Sequence, residues 1–340
     1  MTQDASAEQL HRRLLVIDGL VFFSDGDTTS LREGNVAAVN LTVTGMTAGF
    51  EEAVNDMLRW RARCADPNSG WRQVLGVADI EAARQEGKVG LIMGWQNTRP
   101  FADRLERIAF FHGLGLRVAQ LTYNDAELFG DGCLETRNAG LSRLGAAAVE
   151  EMNRVGIAID LSHVGEATCL DAARLSKRPV LLTHANANAV HKRPRNKSDE
   201  VLRAVANTGG VIGLSIHGFM NWSSNPAEPP SLDGFIRHVR HAHNLVGIEH
   251  LGFGNDFASV RDAQATAGIL AMSFNQFAGA TGDYIRAFGN TLEKRYPDEL
   301  NSPRHLARMT AALLKAGFKE GEVEKIMGRN FLRVFGEIWG

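Results

Sequence analysis

The sequence predicts an α/β fold, a single (β/α)8 barrel (TIM barrel) over residues 1–340 with extra C-terminal helices. The first observation is a set of eight short runs rich in Leu, Ile and Val, which is typical of strands buried on both faces of a parallel sheet. The runs occupy residues 14–17, 38–43, 89–94, 116–121, 157–161, 179–182, 211–215 and 250–254.

The second observation is the helical pattern that separates these runs. Amphipathic stretches lie at residues 50–62, 80–85, 102–111, 141–154, 167–173, 199–206 and 232–244. Helical patterns also follow the last run, at residues 303–314, 320–327 and 330–339, and we expect these to pack against the barrel. An open doubly wound sheet is the alternative, but no glycine-rich phosphate loop follows the first run.

Composition excludes several function classes. Lys and Arg total 37 and Asp and Glu total 39, so the net charge of −2 favours neither nucleic acid nor an anionic membrane. Three widely spaced cysteines form no Cys-x-x-Cys pair, which argues against a thiolate metal site or a disulfide framework. We see neither a signal peptide nor a membrane-spanning run and expect a cytoplasmic protein with a small-molecule substrate. The sequence is compatible with a homodimer.

Polar residues follow the apolar runs directly. His163 and His184 come after the fifth and sixth runs, and Asp256 comes after the eighth. Gln96 and Tyr123 follow the third and fourth. The C-terminal ends of barrel strands converge on one pocket, so we expect these side chains to meet there. Two imidazoles on adjacent strand ends suit zinc, although hydrogen-bonded pocket histidines are the alternative.

Seven segments in order carry a resemblance to a known family, at residues 120–124, 130–133, 160–165, 183–186, 193–196, 254–257 and 327–335. Together they resemble the renal (membrane) dipeptidase family, peptidase family M19, within the amidohydrolase superfamily. The resemblance runs from about Val16 to Phe335. It implies a metallo-dependent hydrolase barrel with two zinc ions bridged by a glutamate and a hydroxide, which attacks the amide carbonyl of a dipeptide.

The resemblance also implies roles for individual residues. His163 and His184 match the two histidines that hold the second zinc, and Arg195 matches the arginine that binds the substrate carboxylate. Asp256 matches the aspartate that accepts and returns the proton. Tyr123 stands where many members have a histidine that steadies the oxyanion, and a tyrosine hydroxyl can donate that hydrogen bond as well.

Two departures from the family pattern concern the first zinc. Leu20 and Phe22 occupy the places of its histidine and aspartate ligands, and neither side chain can coordinate a metal. Gln96 stands at the position of the bridging glutamate, where a neutral amide is a poor bridge between cations. Asp25 or Asp27 is an alternative source of ligands, but both are more typical of turn and helix-cap residues.

The remaining site predicts at most one zinc ion per chain, or none. His217, after the seventh run, is either a further ligand or base or a histidine that orients substrate, and Gln96 would contact substrate. We therefore predict a dipeptidase-like amidohydrolase, a metal-dependent hydrolase that acts on a small carboxylate-bearing molecule. The alternative is a barrel that has lost peptidase activity and binds or transforms a small metabolite by other chemistry.

Two neighbouring positions carry further alternatives. Arg193 lies two residues from Arg195 and could replace it as the carboxylate clamp. His238 and His241 have a spacing that suits a metal on a helix, but we interpret them as an exposed helix face on the barrel exterior.

Overall fold

The structure is a computed structural model that describes residues 3–23, 26–259 and 263–340. Its sheet contains ten strands, and every strand pair in it is parallel. The strands are β1 (Val16–Phe23), β2 (Val36–Thr42), β3 (Trp71–Gln73), β4 (Val89–Trp95), β5 (Leu116–Gln120), β6 (Ala158–Asp160), β7 (Val180–Leu182), β8 (Val211–Leu214), β9 (Leu251–Phe253) and β10 (Phe257–Ser259).

The sheet closes on itself through an interrupted last strand. Its order is β10-β1-β2-β4-β5-β6-β7-β8-β9, with β3 added beside β4. β9 pairs with β8, whereas β10, which begins after residues 254–256, pairs with β1. The two pieces together complete the ring, so the predicted barrel is confirmed and an open doubly wound sheet is excluded.

Asp18 on β1 fixes this interruption. Its Oδ1 accepts hydrogen bonds from the backbone N–H groups of Asn255 at 3.0 Å and Leu20 at 3.1 Å, and its Oδ2 accepts from Asn255 Nδ2 at 3.3 Å. Gly254, just before Asn255, packs closely on the end of β7, because a Cβ there would lie 1.9 Å from the carbonyl oxygen of Thr183. The Asp18 carboxyl therefore joins the first strand to the last inside a fully buried environment.

Helices surround the barrel and continue beyond it. They are α1 (Gln3–Arg13), α2 (Thr29–Glu33), α3 (Phe50–Ala65), α4 (Val77–Gln85), α5 (Glu106–Leu114), α6 (Arg143–Val155), α7 (Glu166–Leu175), α8 (Asp199–Asn207), α9 (Leu232–Val246), α10 (Ala263–Phe288), α11 (Ala307–Lys315), α12 (Glu320–Glu324) and α13 (Asn330–Trp339). Serine side chains cap α6, α8 and α9 by accepting a first-turn N–H. No helix within the described ranges is both long and apolar enough to cross a membrane.

The predicted C-terminal helices close one end of the barrel. Phe331, Val334, Phe335 and Ile338 on α13 form a buried cluster with residues from the start of several strands. The pattern of apolar residues at i, i+3, i+4 and i+7 is that of a helix with one buried face. This packing covers the N-terminal ends of the strands and leaves the opposite end for a pocket.

Three features differ from the sequence-based prediction. β1 continues to Phe23, so Leu20 lies inside a buried strand and not after it. The short strands β3 and β10 were not predicted, since each lacks a continuous apolar run, whereas the long helix α10 lies in the segment after the eighth run that the sequence predicts to be mostly helical. The exposed-face interpretation of His238 was wrong, because its side chain is fully buried and accepts a hydrogen bond from the N–H of Ala187 at 3.2 Å.

Asp18 gives a test of barrel closure. Burial raises the pKa of its carboxyl from 3.8 to about 7. The folded protein then holds this proton more tightly than the unfolded chain, so Asp18 costs stability as the pH rises from about 4 to about 7. Asp18→Asn keeps an oxygen for the two backbone donors and cannot ionise.

The unfolding free energy of the Asp18→Asn variant minus that of the native protein should increase by up to about 4 kcal/mol as the pH rises from 4 to 7. Urea unfolding of both proteins at several pH values measures this difference directly. The carboxamide of Asn255 can rotate to suit the new partner, because its Oδ1 has no hydrogen-bond partner among the described residues. A stability difference that stays constant with pH would contradict the role of Asp18.

Candidate active site

A pocket opens at the C-terminal ends of the strands. Most of the site residues predicted from the sequence line it: Gln96, Tyr123, His163, Arg195, His217 and Asp256. His184 lies directly behind His163 and is fully buried. The strand-end positions therefore converge as the barrel geometry requires.

The centre of the site is the pair of histidines that follow β6 and β7. Their Nε2 atoms lie 3.0 Å apart, and their ring centroids are 5.0 Å apart. The Tyr123 ring stacks on the His163 ring at a centroid distance of 4.2 Å and an interplanar angle of 24°. This stacking and the surrounding burial fix the direction in which the two Nε2 atoms point.

Hydrogen bonds on the far side of each ring set the tautomers. His163 Nδ1 lies 2.7 Å from the amide oxygen Oδ1 of Asn124, an acceptor, so Nδ1 carries the proton. His184 Nδ1 lies 2.9 Å from Thr183 Oγ1, whose own proton goes to Asp160 Oδ2 at 2.8 Å, so this Nδ1 is also the donor. Both Nε2 atoms therefore turn their lone pairs toward each other.

This arrangement suits a shared metal ion. Burial, with the charge of Arg195 as the next cause, holds the pKa of both imidazoles well below the usual value, so both are neutral and able to coordinate. Two nitrogen ligands of one tetrahedral zinc lie about 3.3 Å apart, given a Zn–N length of roughly 2.0 Å. The observed 3.0 Å between Nε2 atoms is close to that spacing, and the Nδ1 partners are those expected behind metal-bound histidines.

The part of the chain that the structure describes supplies no third ligand of the usual kind. No group of three or more His, Cys, Asp or Glu side chains that could hold a metal occurs there. Leu20 is buried and Phe22 lines the pocket, so neither of these β1 positions offers a metal ligand. Asp27 Oδ1 accepts hydrogen bonds from the N–H and hydroxyl of Thr29 near the start of α2. Asp25 lies outside the described residues.

Arg195 reaches the pocket from the loop after β7. Its guanidinium donates to the carbonyl oxygens of Ser162 and His184, the latter at 3.2 Å, and is 3% exposed. Arg193, the alternative clamp, does not line the pocket. It pairs with Asp283 at 3.0 Å and lies over the Trp222 ring, so its charge is already used in packing.

Asp256 occupies the interruption between β9 and β10. Its φ of 56° lies in the left-handed region, which is uncommon for a residue with a side chain and recurs at functional sites. Its N–H donates to the carbonyl of Leu20 at 2.9 Å, and its carbonyl accepts from Tyr296 Oη at 2.7 Å. Burial raises the pKa of the Asp256 carboxyl to about 6, although Arg295 and Arg195 oppose the rise.

The other predicted residues occupy distinct positions. Gln96 donates through Nε2 to Thr42 Oγ1 at 2.9 Å, which holds its amide at the pocket wall. Burial raises the pKa of the Tyr123 hydroxyl, so it stays protonated and able to donate. His217 is neutral, since burial lowers its pKa to about 3, and its Nδ1 has no hydrogen-bond partner within the described ranges. A ligand in the pocket would supply that partner.

Sequence reasoning missed one side of the pocket. The expectation that pocket residues directly follow the apolar runs does not identify side chains from the turn after β8, from α10 or from the segment after α10. No local motif marks these side chains. These lining residues are Phe219, Met220, Thr281, Tyr284, Ile285, Gly289, Asn290, Thr291, Lys294 and Arg295. They give the pocket an apolar face and additional positive charge.

Comparisons with known proteins identify the family of this chain. The model of the membrane dipeptidase family, peptidase family M19, matches residues 24–269. A dipeptidase of Claviceps purpurea, tcpJ, is 30% identical over 263 residues, which are 76% of this chain and 53% of that protein. The chain thus spans about half the length of this relative.

Solved structures are similar over nearly the whole chain. An amidohydrolase from Pseudomonas aeruginosa is 31% identical with a TM-score of 0.84, covering 98% of this chain and 99% of that one. A metallo peptidase from Rhodobacter sphaeroides, solved with a phosphinate mimic of the dipeptide L-Ala-D-Ala, is 21% identical with a TM-score of 0.75, covering 96% and 99%. At that identity the second structure supports the fold alone. With a family match that spans well over half of its length and a barrel closed around the paired histidines, this chain belongs to the membrane dipeptidase family, peptidase family M19.

Proposed function

We propose that this protein hydrolyses an amide bond of a small carboxylate-bearing molecule, as a dipeptidase does, with at most one zinc ion at His163 and His184. The observation that carries the proposal is the meeting of this neutral histidine pair with Arg195 and Asp256 in one buried pocket. Zinc held by the two histidines would supply Lewis-acid polarisation of a carbonyl or water oxygen.

The protein's own residues would divide the remaining work. Arg195 would bind the substrate carboxylate and so place the amide near His163. The Tyr123 hydroxyl would donate a hydrogen bond to the developing oxyanion. Asp256 in its ionised form would accept a proton from the attacking water and return it to the leaving amine as the C–N bond breaks, so that it ends the cycle as it began.

One observation favours a second candidate function. Phe22 presents an aromatic ring to the pocket where the family pattern has a charged ligand, and Leu20 is buried beside it in β1. An apolar wall at that place weakens the case for a two-metal peptidase reaction. The alternative is a barrel that binds or transforms a small carboxylated metabolite without amide hydrolysis.

Release of amine from a panel of dipeptides and N-acyl amino acids, measured with zinc added and with a chelator, tests the proposal. We expect turnover of at least one amide, and lower turnover with the chelator. Saturable binding of the same compounds with no amine release would favour the second candidate.

The metal prediction concerns stoichiometry. Protein purified without chelators should contain at most one tightly bound transition metal per chain, and His163→Ala or His184→Ala should each release it. The matched control is His241→Ala, which removes a histidine paired with Asp199 on the outer helices. Elemental analysis measures all four proteins. Two metals per chain would contradict the reduced site, and retention by both pocket variants would contradict the ligand assignment.

The catalytic prediction concerns Asp256. Asp256→Asn keeps the shape of the side chain but cannot exchange the proton, so turnover should fall by roughly 10²–10⁴ with the metal retained. In the native enzyme, kcat/KM should fall as the pH drops below about 6, because the carboxyl then becomes protonated. Asp103→Asn, at an exposed surface position, is the control. Near-normal turnover of the Asp256 variant would contradict a role in proton transfer. Loss of metal would indicate that Asp256 only orients one of the two histidines.

The binding prediction concerns Arg195. A lysine keeps the charge. Its ammonium group, however, lacks the planar set of N–H donors with which a guanidinium binds two backbone carbonyls and a carboxylate at the same time. Arg195→Lys should therefore raise KM about tenfold or more, with kcat less affected. Arg104→Lys, at an exposed ion pair with Glu106, controls for the substitution itself. Equal KM for the Arg195 variant and the native enzyme would place the carboxylate elsewhere.

A further inference from the structure

The order of the strands places two parts of the pocket on opposite sides of its mouth. Around the barrel the strands follow the order β1, β2, β4, β5, β6, β7, β8 and then β9 with β10, so β1 and β2 lie four positions from β6 and β7. Arg195 lies against the ends of β6 and β7, because its guanidinium donates to the carbonyl oxygens of Ser162 and His184. The pocket wall that faces Arg195 therefore comes from β1 and β2.

The wall that faces Arg195 is apolar. It contains Phe22 on β1, Met46 after β2 and Ala258, and we refer to these three residues as the apolar wall. Val21 and Phe23 belong to the main hydrophobic core, so the alternation of side chains along β1 turns Phe22 toward the pocket. Ala258 is the partner of Phe22 on β10, and its small side chain leaves space beside the aromatic ring.

Hydrogen bonds hold the segment that bears Met46. Thr44 Oγ1 donates to Asp56 Oδ2 on α3 at 2.6 Å. Asn97 Nδ2, after β4, donates to the carbonyl oxygen of Gly45 at 3.5 Å. Phe22 is fixed by the pairing of β1 with β10. The apolar wall is thus formed before a ligand binds, and a preformed surface loses little freedom on binding.

The remaining surface of the pocket continues the apolar wall. Phe219 and Met220 after β8 and Ile285 on α10 line the same cavity. Apolar walls with a few placed polar groups are typical of small-molecule sites, where the walls hold the body of the ligand and the polar groups fix its orientation.

The proposed chemistry orients the substrate across this mouth. When Arg195 binds the carboxylate of the amine half of the substrate, the scissile amide lies near His163. Asp256, between β9 and β10, then lies beside the amide. The acyl half of the substrate extends away from Arg195 and meets the apolar wall.

A free dipeptide would place an ammonium group on that acyl half. Among the described residues that line the pocket, Asp256 is the only carboxylate, and the proposed reaction needs it to accept a proton. Asp256 also lies in the field of two arginines, Arg295 and Arg195, which both lower its pKa. Gln96 is neutral. An ammonium group beside the apolar wall would lose its hydration without gaining a carboxylate of its own.

We propose that the substrate is an N-acyl amino acid, whose carboxylate binds Arg195 and whose uncharged, apolar acyl group packs on the apolar wall. This rests on the proposed amide hydrolysis and narrows its substrate to amides without a free α-amino group. Water would add its oxygen to the acyl carbon as the C–N bond breaks, and its proton would go to the amine nitrogen. The products are an apolar carboxylic acid and an amino acid.

The test compares two compounds that differ by one amino group. N-hexanoylalanine and norleucylalanine share a carbon skeleton, and both are prepared in their L and D forms. Release of alanine by the intact protein gives kcat/KM, and calorimetry gives Kd for compounds that are not hydrolysed. For the best stereoisomer of each, the native protein should favour N-hexanoylalanine at least about tenfold at about pH 7.

The pH dependence of this preference separates charge from shape. The amino group of the dipeptide loses its proton near about pH 8, so the preference should fall about fivefold or more between about pH 7 and about pH 9. Titration of the protein affects both compounds, and their ratio therefore reports on the ligand.

Two variants test the apolar wall itself. The native protein should favour N-hexanoylalanine over N-acetylalanine at least about tenfold, because each buried methylene contributes up to about fourfold. Phe22→Ala should reduce this gain about threefold or more and change the result for N-acetylalanine little. Met46→Ala should act in the same direction, and it replaces Phe22→Ala if that variant does not fold. Phe110→Ala, at an exposed position on α5, is the control and should change neither compound. Melting temperatures show which variants are folded.

Equal use of the two hexanoyl-length compounds, or a preference for norleucylalanine, would overturn the proposal. A preference that does not change with pH would also overturn it, and so would an unchanged chain-length gain in the folded wall variants. If N-hexanoylalanine binds with the expected preference but no amide is hydrolysed, the proposed function fails and the ligand class stands. If both compounds are hydrolysed equally well, the reverse is true.

Discussion

The structure depends on how the barrel closes at its last strand. Asp18 on β1 accepts hydrogen bonds from the N–H and side chain of Asn255, and this contact joins the first strand to the break between β9 and β10. The break directs Asp256 into the pocket, and ring closure brings the ends of β6 and β7 to face it. A fully buried carboxyl that joins the first strand to the last thus supports both the closure of the barrel and the position of Asp256.

Burial also sets the protonation states within the pocket. The imidazoles of His163, His184 and His217 are neutral because a charged ring would lose its hydration there. The same loss of hydration raises the pKa of Asp256 to about 6, in the range where a carboxyl exchanges protons near neutral pH. The positive charges of Arg295 and Arg195 prevent a larger rise in the pKa of Asp256. The pocket therefore combines neutral imidazoles with a carboxyl that titrates near neutral pH.

Two sides of the pocket have different chemistry. The strand-end side carries the histidine pair, Gln96 and the aromatic ring of Phe22, and Arg195 reaches it from the loop after β7. The other side comes from α10 and the segment after it, which supply the aromatic ring of Tyr284 and the cationic side chains of Lys294 and Arg295.

The sequence by itself determined the barrel, the family and most of the strand-end residues, because apolar runs fix the strands and each strand end points to the same pocket. It did not determine that β1 continues through Leu20, since a buried parallel strand and a strand followed by an apolar turn have the same pattern. Only the tertiary structure showed that His238 is buried, that Arg193 packs away from the pocket, and that Arg295 lies within it. These facts depend on contacts between segments far apart in the chain, and no local spacing encodes such contacts.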